Sequence, residues 1–411
     1  MKKFNKNILV FAFFIVFIII GIWGDCFEQL KWKTIDLAAG IKHGNISSFF
    51  DYKYYVDDIS NKELSYHDAM MDANSIKENL LGTRVVIKDD TKVVKSNSGS
   101  LTEEKAKISD TDLDSIVYQI NKLKTVSEIN GANFLYCAAP RKELYENNPD
   151  NIENFFKENF ESFLFKLNSE KIPTVDFSEI FTEKSKEIFY KTDHHWTSLS
   201  GFSANTALCE ELNKKYGFTV NPDYTNIENY KIEPYYNWFL GSRGKKVGTY
   251  FTWHGADDFD LITPNFETNM TEEQPIKNEK RNGKLEDTVL FMDNMEKDFY
   301  KVNTYATYSG GDFRLQIMKN NLNPNGKRIL LIRDSFACVV APFLALQTSE
   351  LHICDMRNYE YYVGDKLNAE EYIKQIKPDY VLVLYSGVTS IEKSDGRYDF
   401  FGSSLEPVGK N

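Results

Sequence analysis

The chain has 411 residues, 42% of them hydrophobic, which is enough for one large globular domain or two small ones. Sixty acidic and 49 basic residues give a net charge of −11, and the basic residues are not clustered into a stripe. This charge distribution excludes nucleic acid as a partner. Five cysteines, an odd number without the close paired spacing of zinc ligands, favour buried free thiols.

The N-terminus predicts a membrane segment. Sixteen consecutive apolar or glycine residues run from Ile8 to Trp23, after three lysines. Because this run is at the short end of the ~17–25 residues that cross a bilayer, a cleaved signal peptide is the alternative to an anchor. No small-residue cleavage pattern follows, which favours an uncleaved signal anchor over residues 1–24. The lysines then predict a single-pass cell-membrane protein whose main domain lies outside the cytoplasm.

The first half of the chain shows alternating strand and helix patterns. Residues 25–80 predict a stalk and packing segment, and the main domain is expected over residues 81–411. Apolar residues at helical or alternating spacing define the elements, and Thr197 is the expected N-cap of the last helix. The predicted elements are a hairpin over 83–95, strands over 133–139 and 173–177, and helices over 110–128, 152–167 and 198–215.

The second half begins with weak periodicity between about residues 217 and 326, which predicts a β-rich insertion. Short apolar strands then alternate with helices, a pattern typical of an α/β fold with a parallel sheet covered on both faces. Such sheets bind ligands at the carboxyl ends of their strands. The predicted elements are strands over 328–332, 351–354 and 380–384, and helices over 336–347 and 368–376.

One serine occupies a predicted turn between a strand and a helix. Ser335 follows the strand over 328–332 and directly precedes an apolar helix. That position exposes the hydroxyl at the edge of the sheet and directs the backbone N–H, at the positive end of a helix, toward a developing oxyanion. The alternative for an isolated Asp-Ser pair is a simple helix N-cap.

Two adjacent histidines follow an aspartate. In an extended segment residues i and i+2 share a face, so Asp193 and His195 are expected to pair while His194 points away. The aspartate would fix the imidazole tautomer, leaving the second ring nitrogen to accept a proton from a hydroxyl. Two alternatives remain, a core or capping cluster and a metal site completed by His254 or His352, and no metal is expected.

These two blocks together resemble a known family. Asp193-His-His-Trp196 and Asp334-Ser-Phe-Ala337, with residues 342–344 and 355–357, look like the DHHW family of bacterial proteins. That family is similar to the SGNH-hydrolase-like alginate O-acetyltransferases. A looser similarity extends over residues 140–142, 241–242 and 308–312. The resemblance implies an SGNH-hydrolase-like three-layer fold with a mostly parallel central sheet.

The resemblance also implies roles for individual residues. The implied catalytic residues are Ser335 as nucleophile, His195 as general base and Asp193 as its orienting acid. Two departures stand out, because Arg333 replaces a glycine of the relatives and no Gly-x-Asn-Asp block supplies an oxyanion-hole asparagine. The backbone N–H groups of Ser335, Gly310 and Gly311 are expected to bind the oxyanion instead.

Three further side chains are candidate substrate contacts. Trp196 is expected to wall the site or stack on a sugar. Tyr308 is a second candidate for sugar stacking, and a packed core aromatic is the alternative. Arg357 is a candidate ligand for a sugar or carboxylate, and a structural ion pair is the alternative.

Three functions follow from the resemblance. The first is O-acetyl transfer to extracellular or cell-wall-associated polysaccharide through an acyl-serine, without a cofactor and with acetyl supplied by a membrane acyltransferase. The second is a carbohydrate acetylesterase with the same catalytic residues. The third is a non-catalytic glycan-binding component of a surface-polymer assembly. Both enzymes share the acyl-serine and differ in how well the site excludes water.

Overall fold

The computed structural model describes residues 67–88, 91–181, 187–358, 366–388 and 395–402. Contacts divide the chain into two units, Met1–Leu81 and Gly82–Asn411. The predicted anchor over residues 1–24 and most of the predicted stalk lie outside the described residues. In the first unit the structure describes one helix, α1 (His67–Leu80). Among the helices that are described, none combines the length and the apolar character needed to span a bilayer.

The second unit begins with a small antiparallel sheet. Its strands are β1 (Val85–Lys88), β2 (Thr91–Lys95) and β3 (Leu101–Glu103), in that order. Lys88 pairs with Thr91, which confirms the predicted hairpin, although its turn residues lie outside the described part.

The remaining strands alternate with helices along the chain. The strands are β4 (Asn133–Ala139), β5 (Thr174–Asp176), β6 (Tyr230–Phe239), β7 (Asp257–Pro264), β8 (Met270–Gln274), β9 (Glu279–Gly283), β10 (Leu315–Asn320), β11 (Arg328–Arg333), β12 (Glu350–Cys354) and β13 (Tyr380–Ser386). The helices are α2 (Asp110–Ile129), α3 (Phe156–Ser169), α4 (Ser198–Tyr216), α5 (Ser242–Val247), α6 (Leu285–Thr288), α7 (Ala337–Leu346) and α8 (Ala369–Ile376).

An eight-stranded central sheet organises this unit, with the strand order β5-β4-β13-β11-β12-β10-β8-β9. The five strands from β5 to β12 are parallel, as the apolar runs predict. The last three strands continue the sheet in antiparallel pairs. The fold is therefore mixed α/β with a large central sheet.

The segment predicted as a β-rich insertion contains five strands, three of which belong to the central sheet. Strands β8, β9 and β10 extend the central sheet because β10 pairs with β12 along five residues. Strands β6 and β7 form a two-stranded ribbon of their own. The periodicity of this region is weak because β8 carries buried polar residues, among them Thr271, Glu272 and Gln274, so its burial does not follow its hydrophobicity.

Helices cover both faces of the sheet. In β4, Leu135, Cys137 and Ala139 belong to one apolar cluster and their neighbours Phe134 and Tyr136 to the other. Residues of α4 and α7 complete the first cluster, and residues of α2, α3 and α8 complete the second. Every residue of α7 is buried, so this helix packs apolar side chains on all sides.

Local signals define the ends of helix α4. Its N-cap is the predicted Thr197, whose hydroxyl accepts a hydrogen bond from the Ser200 N–H. It ends at Gly217 in the left-handed conformation, with φ of 67°. The N-cap therefore follows directly after Trp196, so the helix begins immediately beyond the histidine segment.

Candidate active site

Ser335 lies in the turn between β11 and α7. The carboxylate of Asp334 holds this turn, accepting hydrogen bonds from the Phe336 N–H at 3.0 Å and from the N–H and hydroxyl of Ser386 at 2.8 Å each. Arg397 Nη1 donates to the same carboxylate at 3.0 Å. Phe336 is the N-cap residue of α7, so the Ser335 hydroxyl is not used for capping and is directed elsewhere.

That hydroxyl contacts the second histidine of the pair, 140 residues away in the chain. His195 Nε2 lies 2.7 Å from Ser335 Oγ, and His195 Nδ1 lies 2.5 Å from Asp193 Oδ1. Because the carboxylate only accepts hydrogen bonds, it holds the imidazole proton on Nδ1 and leaves the Nε2 lone pair facing the hydroxyl. The three residues expected to carry the chemistry are therefore brought together in the geometry of a proton relay.

Asp193 is held from a second segment. Ser242 N–H donates to Asp193 Oδ2 at 2.6 Å, and Gly241 packs directly against the aspartate. A Cβ added at Gly241 would lie 2.6 Å from the Cα and 2.7 Å from the backbone N of Asp193, so only glycine fits there. Burial would raise the pKa of Asp193, but the adjacent His194 and His195 outweigh it and hold this pKa well below its usual range.

Two aromatic rings hold the His195 imidazole. The Tyr305 ring stacks on it with centroids 4.0 Å apart and planes inclined by 14°, and the Phe336 ring lies 5.0 Å away. The Tyr305 hydroxyl donates to the Phe336 carbonyl at 3.3 Å. Sequence reasoning missed Tyr305, since it lies in a short 3₁₀ turn whose pattern contains no sign of the histidine it contacts.

The segment before Asp193 is held by two buried charges. Lys142 Nζ donates to the carbonyls of Tyr190 at 2.5 Å and Lys191 at 3.0 Å. Asp257 accepts from the N–H groups of Lys191 at 2.6 Å and Thr192 at 2.8 Å. Burial lowers the pKa of Lys142 to about 8 and raises the pKa of Asp257 above its usual value. Sequence reasoning missed Asp257, and it placed Lys142 only in a loosely similar block.

His194 does not point away from His195, so this prediction is wrong. The two imidazole centroids are 3.8 Å apart, and His194 Nδ1 lies 3.1 Å from Ser242 Oγ. The physical reason is that residues 191–195 form consecutive bends, so the two-residue alternation of an extended strand does not apply. Burial and the neighbouring His195 lower the pKa of His194 well below its usual value, which keeps it neutral near pH 7.

The same residues are also the candidate metal site. Asp193, His194 and His195 each present a ligand atom, all within 4.8 Å of one another. Both ring nitrogens of His195 are already hydrogen-bonded to side chains, and within the described residues neither His254 nor His352 joins this group. A tetrahedral metal needs at least three protein ligands with free lone pairs, so the arrangement suits proton transfer better.

Gly310 and Gly311 line the same cavity as Ser335. Their φ angles of 74° and 102° are left-handed, which glycine adopts without strain, and a Cβ on Gly310 would meet Phe291 at 2.6 Å. In the described part of the chain, the N–H groups of Ser335, Gly310 and Gly311 donate to no protein acceptor. Consecutive N–H groups such as those of Gly310 and Gly311 suit an anion, which is the geometry expected of oxyanion donors.

Arg333 anchors this glycine turn. Its guanidinium donates to the Gly311 carbonyl at 2.6 Å and forms an ion pair with Asp312. Asp312 also pairs with Arg357 Nη2 at 2.9 Å, and Arg357 forms a second ion pair with Asp355. Arg333, one of the two departures from the family pattern, therefore has a structural role, because it joins β11 to the loop that presents the N–H groups of Gly310 and Gly311.

The three side chains predicted as candidate substrate contacts are Trp196, Tyr308 and Arg357. Trp196 and Tyr308 are both 0% exposed and do not line the cavity, so neither is placed to stack on a sugar there, and Tyr308 is the packed core aromatic given as its alternative. Trp196 Nε1 donates to the Phe336 carbonyl at 3.0 Å, and the Tyr308 hydroxyl accepts from the Ile262 N–H at 2.9 Å, as packed aromatics do. Arg357 lines the cavity, but its guanidinium is engaged in the two ion pairs described above.

An open cavity of about 480 Å³ lies above Ser335 and His195. Its wall also includes His194, Ser242, Lys245, Tyr305, Asp312 and the glycines named above. The Cys338 thiol also reaches this wall, but burial raises its pKa to about 12, so it stays protonated and is not a competing nucleophile.

Comparison with known proteins agrees with this geometry. Residues 121–232, which include Asp193 and His195, match the family model described as ALGX, SGNH hydrolase-like domain, acetyltransferase AlgX. Sequence comparison with curated proteins gave no match.

Solved structures show the same fold at low sequence identity. Bacillus cereus PatB1 with a sulfonyl adduct is 18% identical, and the superposition covers 78% of this chain and 99% of PatB1 with a TM-score of 0.60. A DHHW family protein from Eubacterium siraeum is 19% identical over 79% of this chain and 96% of its own, with a TM-score of 0.55. The predicted resemblance to the DHHW family and to the SGNH-hydrolase-like alginate O-acetyltransferases is confirmed.

Proposed function

We propose that this protein is an SGNH-like O-acetyltransferase that modifies extracellular or cell-wall-associated polysaccharide through an acyl-Ser335 intermediate. The proposal rests on one observation, the continuous hydrogen-bond chain from Ser335 through His195 to Asp193 at the floor of an open cavity. The match of residues 121–232 to an acetyltransferase family model supports acetyl as the transferred group.

The first half-reaction forms the acyl-enzyme. Ser335 Oγ attacks the carbonyl carbon of the acetyl donor while His195 Nε2 takes the hydroxyl proton, and the Asp193 carboxylate stabilises the resulting imidazolium. The N–H groups of Gly310 and Gly311, with that of Ser335, receive the negative charge on the carbonyl oxygen. The bond to the donor's leaving oxygen then breaks, and that oxygen takes the proton from His195.

The second half-reaction transfers acetyl to the acceptor. An acceptor hydroxyl gives its proton to His195 Nε2 and attacks the carbonyl carbon of acetyl-Ser335. The new ester bond forms as the bond to Ser335 Oγ breaks, and the proton on His195 returns to that oxygen. Water in place of the sugar hydroxyl would release acetate, which is the acetylesterase alternative. A non-catalytic glycan-binding role is disfavoured, because a binding protein has no need of this hydrogen-bond chain.

The proposal also includes where the main domain lies and how the acetyl donor reaches it. The apolar run over residues 8–23 supports an anchor that leaves the main domain outside the cytoplasm. Acetyl-coenzyme A is cytoplasmic, so a partner membrane acyltransferase would deliver acetyl to Ser335. No cofactor is needed for either half-reaction.

Release of acetate from an aryl acetate by the full-length protein in detergent tests the nucleophile. We expect Ser335→Ala to remove this release, and a sulfonyl fluoride to label the peptide that contains Ser335. Ser203→Ala, a change of an exposed serine on α4, is the matched control and should retain wild-type release. Unchanged release by Ser335→Ala, or a label on Ser242 instead, would reject the assignment.

A second assay separates transfer from hydrolysis. The aryl acetate is supplied with an oligosaccharide acceptor, and mass spectrometry detects an acetylated product. Acetylated oligosaccharide supports the transferase, whereas rapid release of free acetate without it would make the protein an esterase.

A further inference from the structure

His194 is the second imidazole of the cavity, and the half-reactions above do not use it. Its side chain is 25% exposed, whereas that of His195 is 8% exposed. The two ring centroids lie only 3.8 Å apart, and both rings line the cavity that contains Ser335. A ligand that reaches His195 Nε2 must therefore pass beside His194.

The surroundings of His194 determine which of its nitrogens faces the ligand. Nδ1 lies 3.1 Å from Ser242 Oγ and 3.5 Å from Asp193 Oδ1. The nearby carboxylate favours a proton on Nδ1, which then donates to the Ser242 hydroxyl. Among the described residues Nε2 has no hydrogen-bond partner, so it is left as an acceptor.

This pair of residues is not a second set of catalytic groups. The separation of 3.5 Å between His194 Nδ1 and Asp193 Oδ1 is too long for a strong hydrogen bond. Both oxygens of that carboxylate are already occupied, by His195 and by the Ser242 N–H. His194 therefore has no orienting acid of its own, and a binding role fits it better.

We propose that His194 Nε2 accepts a hydrogen bond from a second hydroxyl of the acceptor, next to the hydroxyl that His195 deprotonates. Two adjacent imidazoles thus select an acceptor with two neighbouring hydroxyls, the arrangement on a sugar ring. A water molecule or a simple alcohol forms only one of the two hydrogen bonds, so this contact favours transfer over hydrolysis. The inference rests on the proposed acyl-Ser335 intermediate and names its preferred class of acceptor.

A pair of small acceptors tests the inference without knowledge of the natural polysaccharide. Acetyl-enzyme formed from an aryl acetate is offered trans-1,2-cyclohexanediol or cyclohexanol, and the ratio of cyclohexyl ester to free acetate is measured for each. After correction for its two hydroxyls, the diol should give a ratio about 3–10-fold higher in the wild type, the value of one hydrogen bond.

Variants at position 194 test whether the preference for the diol depends on His194. His194→Ala should remove it by lowering the ratio for the diol only, and His194→Gln should restore most of it, because the glutamine amide can occupy the place of the ring nitrogen. His254→Ala, which removes an exposed histidine outside the cavity, should keep the wild-type preference.

Two results would overturn the inference. One is an equal fall in the ratio for diol and cyclohexanol in His194→Ala, since His194 would then act through His195 or Asp193. The other is a wild type that does not distinguish the two acceptors. A wild type that releases no acetate from the aryl ester would instead refute the acyl-Ser335 intermediate, so the two failures are distinguishable.

Discussion

A single methyl group on Gly241 should disable the site from a position that touches neither Ser335 nor His195. The added Cβ of Gly241→Ala would lie 2.6 and 2.7 Å from backbone atoms of Asp193, whereas ordinary contacts begin near 3.4 Å. Backbone atoms cannot rotate aside as a side chain can. The two segments must therefore separate by about 1 Å, a displacement that costs on the order of 10²-fold in rate when it moves catalytic groups.

Two hydrogen bonds cross this contact and would stretch with it. Ser242 N–H donates to Asp193 Oδ2 at 2.6 Å, and Gly241 N–H donates to Thr192 Oγ1 at 2.8 Å. A further 1 Å would take both beyond hydrogen-bond range. The overpacking itself should lower the free energy of unfolding by about 1–3 kcal/mol.

The assay compares Gly241→Ala with Gly326→Ala, another glycine whose added Cβ would crowd a neighbour. At Gly326 that neighbour is the Asn323 side chain, which lies before β11 and away from the cavity. Gly241→Ala should lose stability in denaturant unfolding, and Gly326→Ala should lose less because the Asn323 side chain can rotate aside. Only Gly241→Ala should lose about 10²-fold in the rate of aryl acetate cleavage. A fully active Gly241→Ala protein would refute the role assigned to the Ser242 amide.

Three further predictions follow from the site. Asp193→Asn should lower aryl acetate cleavage by about 10³–10⁴-fold without changing the circular dichroism spectrum, because the amide no longer holds the His195 tautomer; a loss below tenfold would contradict this. Tyr305→Ala should cost about 3–5 kcal/mol of unfolding free energy in a denaturant titration and slow cleavage more than Tyr305→Phe, which keeps the stacked ring and loses only about 0.5–1.5 kcal/mol. Burial would raise the pKa of Glu143, but Arg243 and Arg141 outweigh it and lower the pKa to about 2. The ionised carboxylate therefore stabilises the folded state at pH values above its unfolded pKa of about 4.3, and this stabilisation is lost as the pH falls toward 2. The unfolding temperature should fall over that pH range, and less so in Glu143→Gln; equal slopes would contradict the assignment.

Much of the fold is readable from local pattern. Strand β4 and the start of α4 at Thr197 lie where apolar spacing and capping predict them, because periodicity and capping depend on near neighbours. The turn that presents Ser335 is predictable for the same reason. The pairing of Asp193 with His195 involves residues two positions apart, so it too is a local property.

Tertiary structure decided how the side chains around Asp193, His195 and Ser335 are oriented. Lys142 and Asp257 bend the histidine segment from distant parts of the chain, which brings His194 beside His195 against the expectation from strand alternation. The structural role of Arg333 depends on its ion pair with Asp312, which the sequence does not indicate.

The sequence by itself therefore determined the elements, the serine turn and the acid–base pair. The meeting of Ser335 with His195, the burial of Trp196 and Tyr308 and the wall formed by Tyr305 came only from packing. The physical reason is the separation along the chain over which each kind of interaction acts. Helical and strand periodicity and caps act within a few residues, whereas buried charges and aromatic rings find partners that only the closed fold brings near.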